Sequence, residues 1–199
     1  MRAAFTPSVR RAVRAGAFVA LTLIGVTRPM AAQTAAGTFD AAAVRTAYLT
    51  ELDSLQSRFL QLADAFPADK YSWRPAAGVR SVGEVFMHVA TEYYLFSPMF
   101  FGAPPSPVVG TGPQAYRKLE ASATKPEVLT HLKQGFAYTK QAIADVPTDS
   151  LSNKRKMFGR EFNVLESSLV MTGDLHEHLG QLIAYARING IKPPWSRGK

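Results

Sequence analysis

The chain has 199 residues, of which 47% are hydrophobic and 19% are charged, with 23 basic against 15 acidic residues, four histidines and no cysteine. Five of the basic residues and none of the acidic ones lie in the first 32 positions, so the remainder carries only 18 basic against 15 acidic residues. That small excess argues against a nucleic-acid-binding protein, and the lack of cysteine excludes disulfides and a lipoprotein anchor.

The N-terminal segment predicts export. Four arginines precede the uncharged apolar run 15–26, which is followed by small residues ending at Ala32. This order is typical of a secretory signal peptide, and a run of about twelve apolar residues is too short to span a bilayer. We therefore expect a signal peptide over 1–32, a domain over 33–199 with no stable membrane anchor, and a periplasmic or secreted protein.

Two helices are predicted in the first half of the domain. The segment 39–66 spaces its apolar residues three and four apart, which marks one buried stripe on a helix. A second helix begins at the capping box formed by Ser81 and Glu84 and extends to about Phe96. The residues of the first stripe are Val44, Tyr48, Leu52, Leu55, Phe59 and Leu62.

Two further helices follow. Thr124 and Glu127 repeat the capping signal and begin a third helix that extends to about Val146. The fourth covers about 162–189, because Asn189-Gly190 is typical of a left-handed helix end. Four helices with apolar stripes predict an all-α four-helix bundle with long loops after helices two and three. A solvated loop is expected for the basic cluster Lys154, Arg155, Lys156 and Arg160.

The positions of His176 and His178 show which face of the fourth helix could bind a ligand. Residues four apart lie on the same face of an α-helix, whereas residues two apart point in nearly opposite directions. Asp174 and His178 can therefore hold one ion together, but His176 cannot join them. We expect His176 to be a surface or subunit-contact residue and His131, on the third helix, to be solvated.

His88 in the second helix offers a third ligand. Facing helices commonly supply the ligands of metal sites in bundles, and two imidazoles with one carboxylate are the composition of an open, catalytic type of site. The sequence therefore predicts a metal site formed by His88, Asp174 and His178. A second interpretation remains open, in which His88 is a hydrogen-bonded core residue and Asp174 with His178 is an ion pair that supports packing.

Two stretches of the chain carry recognisable motifs: Trp73-Arg74-Pro75 with the segment from Arg80 to Ala90, and His178-Leu179-Gly180-Gln181 with the tail at Asn189-Gly190 and Pro193-Pro194. Together they resemble the DinB and YfiT-like family. The resemblance implies a DinB-like four-helix bundle, often dimeric, that holds zinc or nickel with three histidines, and relatives that are thiol-dependent S-transferases or maleylpyruvate isomerases. His88 and His178 match two family ligands, while Asp174 stands at the third position, where its oxygen favours iron, manganese or zinc.

Two functional hypotheses follow. The first is an exported hydrolase or transferase that depends on a divalent metal and acts on a small molecule, with Gln181 and Tyr185 orienting the ligands. We also expect that such a protein could form a homodimer. The alternative is a non-catalytic bundle that binds a partner through an aromatic stretch, although we expect that stretch to be core packing. Its residues are Tyr93, Tyr94, Phe96, Phe100 and Phe101.

Overall fold

All four predicted helices are present in the computed structural model, which describes residues 40–109 and 113–196. The predicted signal peptide over 1–32 lies outside these residues. The described chain contains five α-helices and one β-hairpin: α1 (Ala41–Ala65), α2 (Val82–Phe96), α3 (Pro113–Ala121), α4 (Lys125–Ala144), β1 (Arg155–Met157), β2 (Arg160–Phe162) and α5 (Val164–Ile188). No helix in the described part of the chain is both long and apolar enough to cross a membrane.

The four long helices α1, α2, α4 and α5 form the bundle, as predicted. The apolar stripe of α1 is buried from Tyr48 onward, whereas Val44 is 36% exposed. The ring of Phe136 on α4 lies 6.0 Å from that of Phe59 on α1 and 4.4 Å from that of Tyr93 on α2. Gly135 allows this close approach, because a Cβ atom there would lie 3.2 Å from the carbonyl oxygen of Ala90.

Helix ends follow the capping residues. The capping box of Ser81 and Glu84 begins α2, and the carboxylate of Glu127 accepts from the backbone N–H of Thr124 at the start of α4. A third box, Asn163 with Glu166, begins α5 and was not predicted. Gly190, with a φ of 72°, follows the end of α5 in the left-handed conformation that Asn189-Gly190 indicated.

The two connections predicted as long loops contain secondary structure. A π-helical turn, Ser97–Phe101, continues α2, and the short helix α3 lies in the connection that follows. After α4 the chain forms the hairpin β1–β2, whose turn residues Phe158 and Gly159 have φ values of 48° and 75°. Strands of three residues are too short to show an alternating pattern in the sequence. The four basic residues of this region are exposed as expected, but Arg155, Lys156 and Arg160 lie on the strands of the hairpin instead of in a loop.

Candidate metal centre

Helices α2 and α5 bring His88 and His178 together. The two imidazole rings lie edge to face, with centroids 5.0 Å apart and planes at 88°. Their side chains are 17% and 16% exposed. Each histidine lies on the apolar face of its helix. The apolar faces of α2 and α5 are directed toward each other, so both imidazoles enter the same space between these helices.

Glu92 lies between the two imidazoles. It follows His88 by one helical turn, so the two side chains share a face of α2. Its Oε1 is 3.0 Å from Nε2 of His88, and its Oε2 is 3.7 Å from Nε2 of His178. One ligand atom from each of the three residues lies within 4.8 Å of the other two, so this group could hold a metal ion.

The outer nitrogen of each imidazole already has a partner. Nδ1 of His88 lies 2.6 Å from Oε1 of Glu120, a residue of α3. Nδ1 of His178 lies 3.3 Å from Oε1 of Gln181. With Nδ1 facing Glu120 or Gln181, the Nε2 atom of each ring faces Glu92, and Nε2 is the nitrogen that would bind a metal ion once its proton is released. This is the arrangement in which histidine binds metal ions.

Asp174 lies at the edge of this group. Its Oδ1 is 3.7 Å from Nε2 of His178, and its side chain is 35% exposed. The trio whose ligand atoms are mutually close consists of His88, Glu92 and His178. The role of Asp174 as a ligand therefore stays a prediction, and Glu92 joins the candidates.

Gln181 and Tyr185 connect His178 to the segment before α2. Nε2 of Gln181 donates to the hydroxyl of Tyr185 at 2.9 Å, and that hydroxyl donates to the carbonyl oxygen of Arg80 at 3.3 Å. The edge of Trp73 packs on the Tyr185 ring, with centroids 5.4 Å apart. Gln181 thus contacts a candidate ligand directly, and Tyr185 holds the amide of Gln181 in place.

The other two histidines lie elsewhere. Nε2 of His176 is 3.1 Å from Oε1 of Glu51, and the side chain is 49% exposed, so it is a surface residue as expected. The prediction for His131 was wrong. Its ring is half-buried beside Tyr94, whose hydroxyl is 3.4 Å from Nδ1, and burial lowers the pKa of the imidazole.

The charges of the centre perturb one another. Burial opposes protonation of His88, but the hydrogen bonds to Glu120 and Glu92 outweigh it and raise the pKa to about 9. Burial disfavours the charge of Glu92, but the neighbouring His88 outweighs it and lowers the pKa of the carboxyl. Burial and the adjacent Glu92 raise the pKa of Asp174 to about 7. Without a metal ion, His88 and Asp174 therefore bind protons near neutral pH, whereas Glu92 stays ionised.

Three buried polar atoms have no hydrogen-bond partner within the described residues. They are Oε2 of Glu92 and the hydroxyls of Tyr48 and Tyr93. Burial raises the pKa of both tyrosines, so each hydroxyl keeps its proton and is available as a donor. An unpaired buried polar atom is costly, which makes such atoms rare. A cation between the two imidazoles would give Oε2 of Glu92 the partner it lacks, so the residues fit a metal ion.

Two residues of the centre were missed from the sequence. Glu92 could have been found, because its four-residue spacing from His88 equals the spacing that singled out Asp174 and His178. Glu120 could not have been found in this way, since it lies 32 positions after His88 on a helix that was not predicted. The aromatic stretch is core as expected, with Tyr93, Tyr94, Phe100 and Phe101 at most 4% exposed.

Comparisons with known proteins agree with this architecture. No curated protein matches the sequence. A DinB-like protein from Bacillus subtilis, YjoA, superposes with a TM-score of 0.56 at 20% identity, over 72% of this chain and 91% of that chain. A DinB-like protein from Bacillus cereus superposes with a TM-score of 0.62 at 15% identity, over 74% of this chain and 93% of that chain. At such identities the likeness concerns the fold.

The sequence profile of the DinB superfamily matches residues 51–182, which is more than half of the chain. The matched region includes α2 and α4 in full and both candidate histidines. The resemblance seen in the sequence is thereby confirmed, and the chain belongs to the DinB superfamily.

Proposed function

We propose that the protein is an exported hydrolase or transferase that uses a divalent metal ion held by Nε2 of His88, Nε2 of His178 and the carboxylate of Glu92. One observation carries this proposal. Ligand atoms of all three residues lie within 4.8 Å of one another, while both Nδ1 atoms already face oxygen partners. Among the described residues, Oε2 of Glu92 is buried without a hydrogen-bond partner, which also supports it.

The chemistry of the donors restricts the choice of ion. Two imidazole nitrogens and one carboxylate oxygen suit zinc, iron, manganese and nickel, and they do not suit the oxygen-binding ions calcium and magnesium. When bound, such an ion supplies Lewis acidity that polarises a substrate oxygen or makes a water acidic. Three protein ligands leave room for a substrate or water.

The surrounding residues have distinct roles in this proposal. Glu120 and Gln181 fix the two imidazole rings by their contacts with Nδ1. Asp174 is partly exposed, with Oδ1 3.7 Å from Nε2 of His178, so in this proposal it can accept or return a proton beside the ion. The buried hydroxyls of Tyr48 and Tyr93 keep their protons, so each can donate a hydrogen bond to an oxygen atom of a bound substrate that reaches it.

Turnover that depends on metal tests the activity. The protein, purified without an affinity tag, would be assayed against nitrophenyl esters and phosphates and against thiol acceptors. We expect turnover that a chelator abolishes and that added zinc, manganese, iron or nickel restores, and that Glu92→Gln lacks. Activity that persists in chelator, or that Glu92→Gln retains in full, would refute the proposed role of the metal.

Export is proposed from the N-terminal sequence pattern alone. Cleavage after Ala32 would leave a protein that begins at Gln33. N-terminal sequencing of the protein from its native host checks this directly. Cytoplasmic protein that still begins at Met1 or Arg2 would contradict it.

A further inference from the structure

A cleft of about 370 Å³ lies on the outer side of Glu120, the carboxylate that contacts Nδ1 of His88. Its charged lining residues come from the segment before α2, from α2 and from α3. They are Arg74, Arg80, Arg117, Glu84 and Glu120. The cleft therefore adjoins the candidate metal centre and is separated from it by one side chain.

The two acidic residues of the cleft already have partners. Arg74 donates to the carboxylate of Glu84 at 3.0 Å and to the carbonyl oxygen of Val79 at 2.8 Å. Glu120 directs Oε1 at His88. The carboxylates of Glu84 and Glu120 are therefore only partly available to neutralise the charges of Arg80 and Arg117.

The other two guanidinium groups are available. Among the described residues, Arg117 makes no hydrogen bond or ion pair, and the sole side-chain contact of this kind for Arg80 is Oε2 of Glu120 at 3.9 Å. That distance exceeds a hydrogen bond, so the donors of Arg80 are also unsatisfied within the protein. Within the described residues, two positive charges thus face the cleft, Arg117 without a charged partner and Arg80 with only the carboxylate of Glu120 at 3.9 Å.

Arg80 is tied to both halves of the centre. Its carbonyl oxygen accepts from Tyr185, which receives a hydrogen bond from Gln181, the residue beside Nδ1 of His178. Its guanidinium lies near the carboxylate that orients His88. A ligand held by Arg80 would therefore be positioned relative to both imidazoles.

We propose that Arg80 and Arg117 form a subsite for an anionic group of the substrate, a carboxylate or a phosphate. Guanidinium groups bind both through paired N–H donors, which fixes orientation as well as position. The inference rests on the proposed function, because it places this group at the end of the substrate that anchors beside the metal centre. It limits the substrate class to small molecules with an acidic group.

Calorimetric titration with inorganic phosphate and with acetate tests the subsite. The variants are Arg80→Ala and Arg117→Ala, and the matched control is Arg187→Ala, which removes an exposed positive charge from the end of α5. We expect each cleft variant to weaken binding of the preferred anion at least tenfold and the control to bind like the unmutated protein. Preference for phosphate or for acetate identifies which acidic group the cleft accepts.

A second variant separates this inference from the metal proposal. His178→Ala should lose the metal ion and still bind the anion, because the arginines remain. If His178→Ala loses the anion as well, the anion binds at the metal and the subsite is refuted. Equal binding by Arg80→Ala, Arg117→Ala and the control, or no binding of either anion to the unmutated protein, refutes it too. Anion binding at the arginines in a protein that never binds metal would refute the proposed function instead.

Discussion

The packing of α4 against α1 and α2 differs in kind from the packing of α2 against α5. The first is made of fully buried apolar side chains such as Phe59, Leu132 and Phe136. The second contains two histidines and two carboxylates in the middle of the same bundle. Within the described part of the chain, the apolar interface has no unsatisfied polar group among these residues, whereas the polar interface leaves Oε2 of Glu92 without a hydrogen-bond partner.

The contrast shows where the fold is stabilised and where it can function. Apolar burial contributes roughly 25 cal/mol per Å² and needs no ligand. A cluster of buried charges contributes little net stability, because desolvation offsets attraction. The apolar interfaces can therefore hold α2 and α5 in a geometry that the polar groups alone would not maintain.

Removal of a core ring should give the largest effect. Phe136 contacts both Phe59 and Tyr93, so Phe136→Ala leaves a cavity among three helices. We expect a loss of about 3 to 5 kcal/mol in unfolding free energy, measured by urea denaturation, with metal content per folded chain unchanged. A loss below about 1 kcal/mol would contradict the assignment of stability to this interface.

Removal of His178 should lower the stability mainly when metal is present. At a free metal concentration a thousandfold above Kd, a bound ion stabilises the native state by about 4 kcal/mol. His178→Ala should remove this gain, and a chelator should remove it from the unmutated protein. His176→Ala, which changes an exposed histidine of the same helix, is the control.

The opposite outcome would support the structural alternative. If His88, Glu92, Asp174 and His178 serve only packing, the melting temperature of the unmutated protein would not respond to chelator. His178→Ala would then cost about 3 to 5 kcal/mol in either condition, because it leaves buried carboxylates without a partner.

The metal-free protein should lose stability as pH rises. His88 has a pKa of about 9 in the folded protein against 6.5 as an ordinary value, so its contribution is complete below pH 6.5 and disappears through pH 9. Asp174, at about 7 against 3.8, acts in the same direction between about pH 4 and 7. Each group binds more protons folded than unfolded, and His88 accounts for at most about 3 kcal/mol. Thermal unfolding in chelator from pH 6 to 9 measures the decline, and a rise with pH would contradict it.

The smallest effect concerns a hydroxyl. Among the described residues the hydroxyl of Tyr93 has no hydrogen-bond partner, so Tyr93→Phe should leave the stability of the metal-free protein unchanged or raise it. The control is Tyr71→Phe, because the buried hydroxyl of Tyr71 donates to the carbonyl oxygen of Ala63 at 2.8 Å. That change should cost about 1 kcal/mol. An equal loss in both variants would show that Tyr93 does have a partner.

Local sequence rules predicted the bundle well. The spacing of apolar residues located α1, and capping boxes located the starts of α2 and α4 to within a residue. Such signals depend on neighbours within one or two turns, so they can be recognised in a single sequence. Helix α3 lacked them, because it has nine residues and lies in a connection rich in glycine and proline.

The centre was only partly predictable for the same reason. The pairing of Asp174 with His178 follows from helix geometry within α5, and the approach of His88 follows from the family resemblance and the buried stripe of α2. The contact between Glu120 and His88 depends on how a connecting segment folds over the bundle. Such a tertiary contact leaves no periodic pattern in the sequence.

Metal titration of tag-free protein tests the central claim most directly. Elemental analysis and calorimetry would compare the unmutated protein with Glu92→Gln, Asp174→Asn and the control His176→Ala. We predict one divalent ion per chain in the unmutated protein, retention in His176→Ala and loss in Glu92→Gln, and the metal content of Asp174→Asn shows whether Asp174 is a further ligand. No bound ion in the unmutated protein, or full metal content in Glu92→Gln together with loss in Asp174→Asn, would contradict the centre described by His88, Glu92 and His178.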